Sequence, residues 1–282
     1  MGKTKLITSI DEMKEIVKDL KVEGLSIGFV PTMGYLHDGH ISLMNCSKKD
    51  NDITVVSVFV NPIQFGKNED YEKYPRDIER DLEICSNVGV DYLFHPSQKE
   101  MYPEDYSTFV VVEGITEILC GAYREGHFKG VATVVNKFFN ILKPNRAYFG
   151  KKDYQQLKVI QRMVRDLNMD VEVIGCPLIR EKDGLAMSSR NKYLSPEERK
   201  SALSISKALF EAKRRFEEGE TNPEALKKLI RDIISSYPNT KIQYVEIVDG
   251  ETLKFKEKAE KGDVIAVAVF VGDTRLIDNI EL

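Results

Sequence analysis

The chain has 282 residues, 42% hydrophobic and 30% charged, with only 18 Gly and 10 Pro; this excludes disordered, collagen-like and low-complexity chains and leaves room for one large domain or two smaller ones. Its 41 Lys and Arg against 45 Asp and Glu give a formal net charge of −4, which excludes a general nucleic-acid coat and makes any phosphate chemistry local. Four widely spaced cysteines, Cys46, Cys85, Cys120 and Cys176, form no Cys-x-x-Cys pair and read as reduced core thiols of a cytoplasmic protein, neither zinc ligands nor disulfides. The opening residues lack the apolar run of a secretory signal, and the longest apolar stretches are strand-sized, so no membrane association is expected.

In chain order, Ser9 with Glu12 three residues on predicts a helix entrance, the helix running to about residue 20. Residues 25–30 read as a buried strand ended by Pro31, followed by a turn and a helix beginning near residues 37–39. Residues 53–60, β-branched and almost wholly apolar, read as a strand covered on both faces. That order is a βαβ unit. It continues with a charged helix at about 76–88, strands at 92–94 and 108–112, and a helix at about 131–142. A strand at 147–150, a helix at 154–167 and a strand at 170–174 complete the pattern. This α/β alternation predicts a Rossmann-like parallel sheet with flanking helices over residues 1–178, its ligands held where the strands end.

Beyond Arg180 the composition changes. Ser195-Pro-Glu-Glu198 is a capping box with Pro at the first helical position, opening a helix to about Glu218, and Asn222-Pro223 opens another. Strands follow at 242–248 and 264–271, with an edge strand at 274–277. Helices followed by strands predict a smaller α+β lid domain over residues 179–282, with Pro177 setting the boundary near Leu178.

Four loops carry the chemistry. Half of the chain's four histidines lie in His37-Asp-Gly-His40, at a strand exit that leads into a helix start. Free N–H groups and partial positive charge at a helix N-terminus attract phosphate, and two imidazoles beside it can donate to developing charge. Gly150-Lys-Lys-Asp153 places lysines past another strand, where they can neutralise phosphate while the carboxylate accepts from a ribose hydroxyl. Asn61-Pro-Ile-Gln64 offers neutral donors that suit a small polar substrate. Ser188-Ser189-Arg190 supplies two hydroxyls and a guanidinium fit for a polyphosphate. Together they describe a nucleoside triphosphate site for attack at the α-phosphate, and no Gly-x-x-x-x-Gly-Lys loop competes with that reading.

These residues sit in longer signatures. Pro31-Thr-Met-Gly-x-x-His-Asp-Gly-His40, Phe59-Val-Asn-Pro-x-Gln-Phe-Gly66, Tyr74-Pro-Arg76 and Gly126-His-Phe-x-Gly-Val-Ala-Thr-Val134 are four of them. Lys152-Asp-Tyr-Gln-Gln156, Asp183-Gly-Leu-Ala-Met-Ser-Ser-Arg-Asn191 and Asp273-Thr-Arg-Leu-Ile-Asp278 are the rest. Nearly end to end, the chain resembles the pantoate–β-alanine ligase family, within the nucleotidyltransferases that share His-x-Gly-His with class I aminoacyl-tRNA synthetases. The resemblance implies joining of pantoate and β-alanine at the expense of ATP with Mg²⁺, through a pantoyl adenylate, by a homodimer without nucleic-acid partners.

Residue by residue, the resemblance implies that His37, His40, Lys152, Ser188, Ser189 and Arg190 are catalytic, with His37 the proton donor. It implies that Val30, Pro31, Thr32, Met33, Gly34, Gly150, Lys151, Asp153, Ile179 and Met187 join them in holding ATP. Gln64 and Gln156 would clasp pantoate, with Asn61 and Arg124 beside it, and Asp81 would lie on the metal side. Lys151 stands where the family usually has Glu, which adds positive charge beside the expected phosphates. A nucleotidyltransferase that leaves the nucleotide on a phosphate-bearing acceptor would need a cationic acceptor site in place of this amide pair.

Overall fold

The computed structural model describes residues 3–67 and 69–282. The apolar runs of the longer N-terminal part form six parallel strands: β1 (Lys5–Ile7), β2 (Ile27–Thr32), β3 (Ile53–Val58), β4 (Tyr92–Phe94), β5 (Arg146–Gly150) and β6 (Glu172–Cys176). Their connections contain α1 (Ile10–Val22), α2 (Asp38–Asp50), α3 (Ile78–Val88), the short α4 (Gln98–Met101) and α5 (Cys120–Tyr123), α6 (His127–Leu142) and α7 (Tyr154–Asp166). The C-terminal part has α8 (Pro196–Glu217) and α9 (Pro223–Ser235), then an antiparallel sheet of β7 (Thr240–Val248), β8 (Val264–Val271) and β9 (Thr274–Glu281).

The larger sheet has the order β1-β4-β3-β2-β5-β6, so the chain moves one way from β2 through β3 to β4 and then returns to the other side of β2 with β5. The switch point lies between β2 and β5, where open α/β sheets bind ligands. The ladder itself widens that point. β2 pairs with β3 through all of its residues, from Ile27 to Thr32, but with β5 only at Gly28 and Phe29. Past Phe29 the two strands diverge and a crevice opens between their ends. The divergence also explains why Pro31 does not end β2: the strand runs on to Thr32, and on the β5 side no ladder partner requires the missing N–H.

Local sequence sets the helix starts. Ser9 accepts from the backbone of Glu12, Asp77 from that of Arg80, and Ser195 with Glu198 forms a reciprocal capping box at α8. One expected strand is absent. Residues 108–112 form no ladder, and Val110 N–H donates instead to Thr133 Oγ1 on α6. The edge beyond β4 is taken by the three residues of β1, which leaves the 108–112 segment with strand-forming residues and no strand to pair with.

Both faces of the small sheet are covered. Val245, Ile265, Val267 and Val269 pack with Leu209 and Ile230 of α8 and α9, whereas Tyr244, Val248, Val264, Ala266 and Ala268 join the core that contains Phe29, Phe138 and Leu157. Burial on both faces accounts for the unbroken apolar run of β8.

Candidate active site

The crevice is lined from β2 and α2 by Pro31, Thr32, Met33, His37 and His40, and from β5 and the following turn by Gly150, Lys152, Asp153 and Gln156. Asn61, Gln64 and Arg124 close one side, and Ile179, Met187, Ser188, Ser189 and Arg190 the other. A second cavity shares Arg124, Lys152, Asp153, Ser188 and Arg190 with the first and continues outward to Arg275 and Asp278 of β9.

The two histidines form the cap of α2. His37 Nδ1 accepts from Gly39 N–H at 3.2 Å, and His40 Nδ1 accepts from His37 N–H at 3.3 Å. A nitrogen that accepts carries no proton, so each ring is neutral with its proton on Nε2. Burial, reinforced by the Lys152 charge, lowers the His37 pKa to about 4; burial and then His37 push His40 well below its ordinary value. The pair therefore presents Nε2–H donors near neutral pH. Gly39 makes this possible, because a Cβ there would stand 2.9 Å from His37 Cε1.

On the amide side, Asn61 Nδ2 donates to Gln64 Oε1 at 2.9 Å, and Gln64 Nε2 donates to Met33 Sδ at 3.2 Å. His127, at the start of α6, donates from Nδ1 to the Gln64 carbonyl at 2.9 Å while its Nε2 accepts from Arg124. Burial and then the Arg124 charge lower the His127 pKa to about 3, consistent with this neutral tautomer. Arg124 is itself held by both oxygens of Glu69, at 2.7 and 2.6 Å. It orients the wall, and its charge is already paired. Gln156 makes no side-chain hydrogen bond to another described residue, so either end of its amide can face a ligand.

The Ser-Ser-Arg run is engaged elsewhere. Arg190 grips Asp70 through two hydrogen bonds of 2.9 and 2.8 Å and stacks over Tyr74, whose hydroxyl meets Ser189 Oγ at 3.0 Å. Burial raises the Asp70 pKa, but the Arg190 hydrogen bonds and charge outweigh it and hold Asp70 below the usual carboxylate range. Met187 Sδ accepts from Gly39 N–H at 3.2 Å, so a thioether covers part of the α2 N-terminus.

Four expected residues lie off the crevice wall. Val30 is fully buried against Leu36 and Met44, facing the core. Gly34 is the pivot of the turn, with φ +86° and too little room for a Cβ beside Val58. Lys151 pairs with Glu281 of β9 at 3.3 Å and does not line the crevice. Asp81 is buried, and its two oxygens accept from Tyr35 N–H and Leu36 N–H at 2.8 Å each; it shapes the turn before His37, which corrects its reading as a metal-side carboxylate. Among the described residues no cluster of three His, Cys, Asp or Glu side chains could hold an ion. Sequence reading missed the apolar wall of Val131, Val134, Val135 and Phe138 on α6, although their three- and four-residue spacing marks one helix face.

The pantoate–β-alanine ligase sequence model matches residues 5–281. Over 277 residues the chain is 64% identical to the pantothenate synthetase of Sulfurihydrogenibium sp., covering 98% of this chain and 99% of that one. The pantothenate synthetase of Caldicellulosiruptor bescii is 59% identical over 275 residues, 98% of each chain. Among solved structures, pantothenate synthetase from Thermus thermophilus is 45% identical and superimposes with a TM-score of 0.93 over 99% of both chains. Pantoate–β-alanine ligase from Francisella tularensis, complexed with β,γ-ATP and β-alanine, is 36% identical with a TM-score of 0.82, over 99% of this chain and 97% of that one. With this fold and this crevice, the chain belongs to the pantoate–β-alanine ligase family and is an amide-forming ligase.

Proposed function

We propose that the crevice activates pantoate with ATP and passes the acyl group to β-alanine. In the first step a pantoate carboxylate oxygen attacks the α-phosphorus, the bond to the bridging oxygen breaks and pyrophosphate leaves. In the second the β-alanine amine attacks the acyl carbon, loses a proton and expels AMP. The observation that carries this reading is the pair of Nε2–H donors of His37 and His40 at the α2 N-terminus, facing the same crevice as Lys152 and the two glutamines. These donors and the lysine stabilise charge on the phosphates as it shifts towards pyrophosphate. Gln64 and Gln156 orient pantoate, whose two methyl groups suit the Val131 and Val134 wall. Pro31, Thr32, Met33, Gly150, Asp153, Ile179 and Met187 hold the nucleotide, and Ser188, Ser189 and Arg190 close over its phosphates.

Mg²⁺ belongs to this reading as part of the ATP substrate, because the one carboxylate expected to bind it is occupied by backbone N–H groups. The nucleotide-binding unit is proposed as residues 1–178, and the smaller unit, which supplies the closing strap, as 179–282. A homodimer is proposed because Phe109 and Val111, 41% and 61% exposed, lie on an extended segment that joins no sheet. Four unpaired thiols favour the cytoplasm, and no described helix is long and apolar enough to cross a membrane. The test is exchange of labelled pyrophosphate into ATP. It should require pantoate, and AMP release should require β-alanine as well; exchange without pantoate, or none with it, overturns the reading.

A further inference from the structure

Which end of the Gln64 amide faces the crevice is decided by a series of forced hydrogen bonds. The carbonyl of Gly130, in α6, can only accept, so the Asn61 atom 3.1 Å from it must be Nδ2. The same Nδ2 reaches Gln64 Oε1, and the Gln64 Nε2 donors are thereby turned towards Met33, where the sulfur is only a weak acceptor. This leaves Asn61 Oδ1, in a residue 1% exposed, and its partner is the Tyr102 hydroxyl at 2.8 Å. Without that hydroxyl a buried acceptor has no donor, which favours turning of the amide or entry of water.

Tyr102 itself does not line the crevice. It follows α4 and packs edge-on against Tyr106, with ring centroids 5.0 Å apart. Helix α6 is pressed onto the Asn61–Gln64 turn, since a Cβ at Gly130 would come within 2.4 Å of the Ile63 carbonyl. The Gly130 carbonyl is thus fixed in place, and the hydroxyl and the carbonyl hold the Asn61 amide from its two ends.

We propose that Tyr102 is a positioning residue for the acyl substrate: acting through Asn61, its hydroxyl fixes the polarity of the Gln64 amide so that the crevice offers a donor to an acceptor oxygen of pantoate. This rests on the reading of Gln64 as a pantoate contact. Burial raises the pKa of the Tyr102 phenol, so it remains a donor across the working pH range.

The experiment is steady-state kinetics of Tyr102→Phe beside Gln64→Ala, with pantoate and ATP varied separately. Loss of one buried hydrogen bond should raise the pantoate KM of Tyr102→Phe roughly tenfold and leave the ATP KM within about twofold of native. Gln64→Ala should raise the pantoate KM at least as much. An unchanged pantoate KM in Tyr102→Phe beside an impaired Gln64→Ala overturns the positioning role alone. A fall in kcat with neither KM moved marks a purely structural tyrosine and also overturns it. A native pantoate KM in Gln64→Ala overturns both the proposal and the substrate reading beneath it.

Discussion

On the β2 side of the crevice the polar groups have one arrangement each: His37 and His40 are tied through Nδ1 to backbone N–H groups, and the Gln64 amide is held by Asn61. On the side of residues 188–190 the charge expected at the phosphates is instead bound to a neighbour, Arg190 to Asp70. The first side is preorganised, whereas any ligand contact by Arg190 would be offset by the loss of an ion pair. Preorganisation sits where the reacting phosphorus would lie, and exchange where closure would occur.

The largest effect should come next to the prepared side, on the turn after β5. Lys152, whose described ion-pair partner is Asp153 at 3.5 Å, lines the crevice beside the histidines. Lys152→Ala should slow pantoate-dependent pyrophosphate exchange by about 10²–10³ without lowering the thermal midpoint. Near-native exchange would remove the lysine from the phosphate site.

A smaller loss is expected at Gly150. A Cβ there would meet only Lys152 N, at 4.0 Å, so the protein itself does not require glycine. Gly150→Ala should fold normally and raise the ATP KM by roughly tenfold, because a methyl group would stand where a ligand approaches the backbone. Unchanged ATP kinetics would place the nucleotide elsewhere.

Asp70→Asn tests the exchanging side. If the pair competes with ATP, weakening it should tighten ATP binding by about two- to tenfold, read by calorimetry. Weaker binding would mean that the pair persists in the complex.

The smallest signal is a titration. The His37 ring should titrate near 4 by NMR, because burial and Lys152 depress it from 6.5. Below about 6.5 the unfolded chain takes a proton that the folded chain refuses. This contribution to stability is therefore complete above 6.5 and declines as pH falls towards 4. A midpoint above 6 would mean that the ring no longer accepts through Nδ1.

Much of this was legible in the sequence because it is local. The strand, turn and helix around His37 follow from an apolar run, a glycine turn and a capping position, all within residues 27–40. What escaped depends on partners far along the chain. Residues 108–112 have strand-forming side chains, but the sheet edge went to Lys5–Ile7, more than a hundred residues earlier. Asp81 was expected on the metal side, and nothing local in the sequence pointed to its fold partners, the backbone N–H groups of Tyr35 and Leu36. Lys151 and Lys152 are adjacent and chemically alike, yet one faces β9 and the other the histidines; only the path of the chain after β5 distinguishes them.

The small sheet has a thermodynamic consequence. Tyr244, Val248 and Ala268 belong to the same packed cluster as Phe29 and Phe138, so neither unit can lose its partner without wetting its own interior. Melting should then be a single cooperative event, with calorimetric and van't Hoff enthalpies in agreement, and a chain cut at residue 178 should aggregate. Any closure over the nucleotide is correspondingly confined to the strap around residues 179–190 and the segment that Arg190 holds, since the sheet behind them is anchored in the common interior.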